Sequence, residues 1–158
     1  MVGMPKSCMK KSYQKNPFYA SIFYIMNGRF LGIDFGTKRI GLAISDESKM
    51  LAFPKEIVLN DKNVLDRISE VIKEENISDI VIGESLDFSG KPNAVALEIE
   101  AFARELKEKI GLPVHKQKEF MTSVEARRYR DEDKTYPNSA DAAAAALILQ
   151  RYLDRKSR

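Results

Sequence analysis

Asp34 interrupts the apolar run Phe30-Leu31-Gly32-Ile33-Asp34-Phe35, where a carboxylate buried without a partner costs several kcal/mol. Two kinds of partner are open to it. As a strand-end aspartate it can accept hydrogen bonds from the Gly36-Thr37 turn amides. As a cation ligand or phosphate-site residue it uses its charge, and Gly36 lets a ligand come close to the backbone. Glu119 ends the stretch Leu112 to Glu119 beside a helix start, and Asp141 opens an alanine-rich helix. Each has an ordinary reading: a solvated strand end for Glu119, and for Asp141 a helix dipole that favours an acid by about 0.3–1 kcal/mol. The run Ala142 to Ala146 changes the balance, because small side chains let that helix approach a sheet and carry Asp141 toward Asp34. Three carboxylates with no Cys/His cluster beside them form an oxygen donor set suited to Mg²⁺ or Mn²⁺. Such a centre can clamp the attacking and leaving oxygens of a phosphodiester.

Lys38, Arg39, Thr122 and Ser123 are the donors placed to meet a phosphate near these acids. A solvated turn accounts equally well for Lys38 and Arg39, and helix capping alone accounts for Thr122. His115 reads as an ordinary strand residue. Arg127, Arg128 and Arg130 read as a solvated helix face, and Phe88, Tyr129 and Tyr136 as packing residues rather than platforms for bases.

The elements that must hold the acids follow from periodicity. Phe30 to Phe35 and Arg39 to Ser45 read as two strands of a hairpin, and Met50 to Leu59 as a third, which Pro54 confines to an edge or a bulge. Asn63 to Glu75 carries a helical stripe of Val64, Leu65, Ile68, Val71 and Ile72. Asp79 to Gly83 is a short apolar strand, and Pro92 to Ile110 a helix ending at Gly111. Leu112 to Glu119 is a further strand. Thr122-Ser123-Val124-Glu125 has the capping-box pattern and opens a helix through Tyr129. Asn138 or Ser139 caps the last helix, Ala140 to Leu153, and Asp131 to Asn138 is a polar connecting loop. The expected architecture is α/β: a mixed five-stranded sheet, with a three-strand antiparallel meander plus two parallel strands, flanked by helices.

The chain has 158 residues, one domain's worth, with 44% hydrophobic and 31% charged residues, which excludes a disordered polyelectrolyte. Residues 1–25 differ from the rest: four lysines, no acid, the single Cys8 and no periodicity before Phe18. They read as an N-terminal extension, a mis-start or a poorly ordered tail, or alternatively as a basic arm with interleaved aromatics that touches a polyanion, with the domain spanning 26–154 and a short tail at 155–158. The net charge of +3 belongs to that extension. Four of the 26 basic residues and none of the 23 acidic ones lie in residues 1–25, so 22 against 23 leave residues 26–158 at −1. A bulk basic surface is therefore not the reason to expect a polyanion as ligand. One cysteine excludes an intrachain disulfide, no apolar run approaches the roughly 20 residues a membrane span needs, and the expected location is cytoplasmic.

Phe30 through Ala43, Thr122 through Arg127, and Asp141 through Gln150 together resemble the YqgF family. The likeness covers Met26 to Asp154. It implies an RNase H-like fold and a family described as Holliday junction resolvases, or as nucleases that process the 5′ end of the small-subunit ribosomal RNA precursor. By position it implies metal-holding, catalytic roles for Asp34, Glu119 and Asp141. It also implies structured RNA or branched DNA as partner, and a homodimer or a monomer according to whether two coordinated cuts are needed. Two departures stand out. Lys118-Glu119-Phe120 replaces the family's Asp-Glu-Arg, and Gly83-Glu84-Ser85 replaces its Gly-Leu-Pro. Two other functions compete: an actin-like or sugar-kinase-type ATP-binding fragment, since Asp34-Phe35-Gly36-Thr37 also resembles that first phosphate loop, and a non-catalytic RNA-binding member of the fold.

Overall fold

A computed structural model describes residues 28–85, 94–119 and 139–158. The N-terminal extension, the Thr122 capping box and its helix, the arginine cluster, Phe88, Tyr136 and the 131–138 loop lie outside the described residues. Five strands alternate with helices in the order β1 (Arg29–Asp34), β2 (Arg39–Ser45), β3 (Ala52–Leu59), α1 (Val64–Glu74), β4 (Ile77–Ser85), α2 (Ala94–Ile110), β5 (Val114–Glu119) and α3 (Ser139–Lys156). They form one sheet in the order β3-β2-β1-β4-β5. β1, β2 and β3 pair antiparallel, while β4 runs parallel to both β1 and β5. The expected meander-plus-two sheet is the observed one.

Both faces of the sheet are covered, which is why β1 and β4 read as almost unbroken apolar runs. Leu31, Ile33, Ile40, Leu42, Ile80 and Ile82 pack with Ile68 and Val71 of α1 and with Ile99, Phe102 and Leu106 of α2. On the other face, Phe30, Ala43 and Val81 pack against Ala145, Ile148, Leu149 and Tyr152 of α3. Far from Asp141, Tyr152 meets the rings of Phe30 and His115 at centroid distances of 5.9 and 5.3 Å. The Lys156 and Lys49 ammonium groups stand 4.7 and 5.1 Å from the centre of the Phe30 ring. His115, expected as an ordinary strand residue, also bonds Asp79 at 2.8 Å.

Element bounds differ from the periodicity where backbone pairing overrides side-chain type. β4 extends past its apolar centre at both ends, because Ile77 has Arg29 to pair with and Glu84 and Ser85 have Lys118 and Glu119. β3 starts two residues late, since the Asp46 carboxylate accepts from the Met50 and Leu51 amides at 2.8 and 3.0 Å and holds them in the preceding turn. β3 is an edge strand, and its register slips where Leu42 pairs with Glu56 but Ala43 pairs with Pro54. The proline without an amide proton thus falls at both an edge and a bulge. β5 starts at Val114, leaving the Pro113 carbonyl to accept from the Ile80 amide at 2.9 Å. The α2 helix closes at Gly111 with φ +75° and its amide bonded to the Lys107 carbonyl at 3.0 Å, the left-handed C-terminal turn expected there. α3 continues to Lys156, so residues 155 and 156 belong to the helix rather than to a tail.

The seating of α3 depends on two glycines. A Cβ on Gly32 would stand 2.7 Å from Leu149 Cβ and 2.8 Å from the Ala145 carbonyl oxygen, and one on Gly41 would stand 2.0 Å from the Asp141 carbonyl oxygen. Backbone lies almost against backbone. Gly32→Ala is therefore expected to lower stability by about 1–3 kcal/mol, the usual cost of overpacking, measured as a lower midpoint in urea with an unchanged m-value.

Candidate metal centre

β1, β4 and β5 are parallel, so their carboxyl ends share one edge of the sheet, and Asp34, Ser85 and Glu119 are the last residues of the three strands. Side chains alternate along a strand, and the packing fixes which face each position serves. Phe30 and Val81 pack on α3, and His115 meets Tyr152. Positions 34, 83 and 117 therefore belong to the α3 face, in step with Phe30, Val81 and His115. Gly41 is the register partner of Asp34 on β2, and it is there that α3 brings its Asp141 carbonyl almost onto the sheet. The fold thus delivers Asp141 beside Asp34 through glycine on the sheet and small residues on the helix. Glu119 ends β5 at the same edge. Among the described residues no three His, Cys, Asp or Glu side chains form a metal cluster, and for Glu119 only the strand position is described.

The electrostatics show two acids forced together. Burial, and then the charge of Asp141, push the Asp34 carboxyl up to about 6. Among the described residues nothing donates to it, so the turn-amide alternative is not what holds Asp34. Gly36 has a local reason to be glycine: a Cβ there would stand 2.4 Å from the Arg39 carbonyl oxygen, so the turn closes on itself. The turn alone thus accounts for a glycine at position 36. Arg39 Nε lies 3.4 Å from Asp141 Oδ2. Expected as a phosphate donor, Arg39 lies beside one of the acids, a half-exposed pair worth up to about 1 kcal/mol. Lys38 is exposed in the turn, where its carbonyl accepts from the Asn60 amide at 3.0 Å. Thr122 and Ser123 lie outside the described residues.

The same alternation places Glu84 and Lys118 of the two departures, while Phe120 lies outside the described residues. Glu84 and Lys118 are register partners on the α1/α2 face, the side away from Asp34. Lys118 therefore does not share the face of Asp34, and the two changes place opposite charges at one cross-strand position. Strand pairing, not adjacency in sequence, decides this.

The model of the RuvX family, described as Holliday junction resolvase, matches residues 28–155. The chain belongs to the RuvX, or YqgF, family. A protein of Maridesulfovibrio salexigens named "Putative pre-16S rRNA nuclease" is 34% identical over 133 residues, 80% of this chain and 98% of its own length. One of the same name from Koribacter versatilis is 37% identical, over 83% of this chain and 90% of its own. Among solved structures, Thermus thermophilus RuvC in complex with a Holliday junction substrate superposes with a TM-score of 0.53 at 14% identity, over 82% of this chain and 96% of that one. The fowlpox virus resolvase with Holliday junction DNA gives 0.51 at 13%, over 82% and 99%. At these identities the two structures show a shared fold, the resolvase fold that the RuvX motifs imply.

The raised Asp34 acidity has a stability consequence. An acid whose folded-state value of about 6 exceeds its ordinary 3.8 destabilises the fold above pH 6, and protonation relieves this as pH falls toward 4. In the metal-free protein, Asp34→Asn should raise stability at pH 7 by about 2–3 kcal/mol. The gain should shrink below pH 6 and nearly vanish by about pH 4, followed by chemical denaturation across that range.

Proposed function

We propose that this RuvX-family chain is a divalent-metal-dependent endonuclease that hydrolyses phosphodiester bonds in structured nucleic acid, with the precursor of the small-subunit ribosomal RNA as its substrate. The observation that carries the reading is the convergence of Asp34 and Asp141 across Gly41, two like charges pressed together on a desolvated sheet edge with Glu119 ending a strand at that edge. A pair that repels in the free protein is suited to a hard cation, which takes carboxylate oxygens in preference to nitrogen or sulfur. The donor set therefore fits Mg²⁺ or Mn²⁺, held by Asp34, Glu119 and Asp141. When bound there, the cation supplies Lewis-acid stabilisation of negative charge on the phosphodiester oxygens.

The chain's own residues do the rest. Asp34 is ionised over most molecules at pH 7 and half protonated near pH 6, so acidification removes a donor before it threatens the fold. Arg39 offsets part of the Asp141 charge and limits the repulsion the site must bear when empty. It also places a guanidinium at the rim, where a phosphate of the substrate would enter. With residues 26–158 at −1, attraction for nucleic acid is local: the phosphate is drawn to the carboxylate site once a cation has reversed its field. No helix of the described residues is long and apolar enough to cross a membrane, in keeping with a cytoplasmic substrate. RNA is favoured over a four-way DNA junction because the relatives at 34–37% identity carry the RNA name, and single cuts in RNA are within reach of a monomer.

The purified chain, given Mg²⁺ or Mn²⁺, should cut precursor ribosomal RNA faster than a four-way DNA junction, and chelation should stop both. Asp34→Asn and Asp141→Asn should each lower the rate by more than about a hundredfold, beyond the loss usual for removing even an outer partner of a metal site. Unchanged cleavage by Asp34→Asn would sink the proposed centre. RNA binding without cleavage by the wild type would point instead to a non-catalytic member of the fold.

A further inference from the structure

Gln117 is only 8% exposed, and its side-chain Oε1 is a buried polar atom without a hydrogen-bond partner. The orientation of the amide is fixed. Its Nε2 donates to the Lys118 carbonyl at 3.1 Å, and a carbonyl only accepts, so the unpaired end must be the oxygen. An unsatisfied buried oxygen carries the full cost of its desolvation. An apolar residue of the same size would fill the space without that cost, as Val81 and Ile148 do nearby on the same face. Such a group needs an explanation in a native protein, and a missing ion is one of the few available.

The sheet says which ion. Gln117 is the register partner of Gly83, and Gly83 follows Ile82, the partner of Ile33. Asp34, Gly83 and Gln117 therefore lie in one row across three strands on the α3 face, with Gln117 two positions before Glu119. Neighbouring strands lie about 4.8 Å apart, so the Asp34 and Gln117 backbones are about 10 Å apart, and Gly83 puts no side chain between them.

We propose that Gln117 Oε1 is a further, neutral oxygen donor to the divalent cation of this site. The proposal rests on the metal-centre reading above. Amide carbonyls join carboxylates around hard cations, and a neutral donor adds a ligand without adding to the repulsion that already raises the Asp34 carboxyl. The residue would then carry its desolvation cost in the empty protein and be satisfied in the loaded one.

Mn²⁺ binding to the full chain, followed by electron paramagnetic resonance, tests this alongside metal-free thermal melts. Gln117→Met keeps length and volume but removes the oxygen. It should bind Mn²⁺ about tenfold or more weakly while melting, metal-free, at or above the wild-type temperature. Gln117→Glu keeps an oxygen and should retain Mn²⁺ binding, which separates loss of the donor from damage to the fold. Wild-type Mn²⁺ affinity in a folded Gln117→Met overturns the proposal, as does equal weakening in Gln117→Glu. Asp34→Asn distinguishes the two levels. If it binds Mn²⁺ as the wild type does, the centre itself is wrong; if it loses binding while Gln117→Met keeps it, only the role of Gln117 falls.

Discussion

The contact between α3 and the sheet at Gly32 and Gly41 is the constraint on which the rest of the molecule depends. A helix normally rests on a sheet through side chains, at a distance set by their size. Here glycine on the strands and alanine on the helix remove those spacers, and the Ala145 and Asp141 carbonyls approach to where a Cβ would otherwise be. The position of Asp141 is thereby set by two backbones instead of by a flexible side chain. The proposed sharing of a cation between Asp141 and Asp34 would benefit from that rigidity. The carboxyl ends of three parallel strands supply the rest of the edge, so the sheet serves as scaffold and as ligand carrier together.

This arrangement costs stability at the edge where the metal centre is proposed. Asp34 is half-buried beside a second acid with nothing donating to it among the described residues, and Gln117 keeps an amide oxygen unpaired in the same row. Elsewhere the polar groups of the sheet are well served: Ser45 Oγ accepts from the Phe30 amide at 2.9 Å, Asn60 donates to the Gly36 carbonyl at 2.8 Å, and Gln150 accepts from the Ala52 amide at 2.8 Å. Among the described residues, the one buried side-chain polar atom without a partner lies in the same row of the sheet as Asp34.

Asp34 was legible in the sequence because a carboxylate in an apolar strand has few explanations, and Asp141 because alanines and an acid in one first turn imply close approach. The meander and the two parallel strands followed from a hairpin, a proline-bearing third strand and two α–β alternations. Other features depend on register, which no local pattern reveals. Gln117 looks like any polar residue in the weak strand Val114–Glu119 until its pairing with Gly83 aligns it with Asp34. Lys118 looks like an intruder beside Glu119 until alternation turns it to the far face opposite Glu84. The ends of β4 lie beyond its apolar centre for a related reason, since residues join a strand wherever one neighbouring strand offers hydrogen bonds, β1 at Ile77 and β5 at Glu84 and Ser85. Glycine carries its own ambiguity: Gly36 suggests an approaching ligand, and its own turn supplies a second reason for the residue.

The ring cluster at the far end of α3 has a consequence for how this family can vary in length. Tyr152 is held among Phe30 and His115, and Asp141 is seated on Gly41, eleven residues and about 16 Å of helix away. Both ends are fixed to the same sheet. One residue inserted or deleted between them would turn Asp141 by about 100° relative to Tyr152, and no adjustment in the connecting loops could restore both seats. The span from 141 to 152 should therefore tolerate exchange of residues but no change in their number, and sequence gaps among relatives should fall outside it.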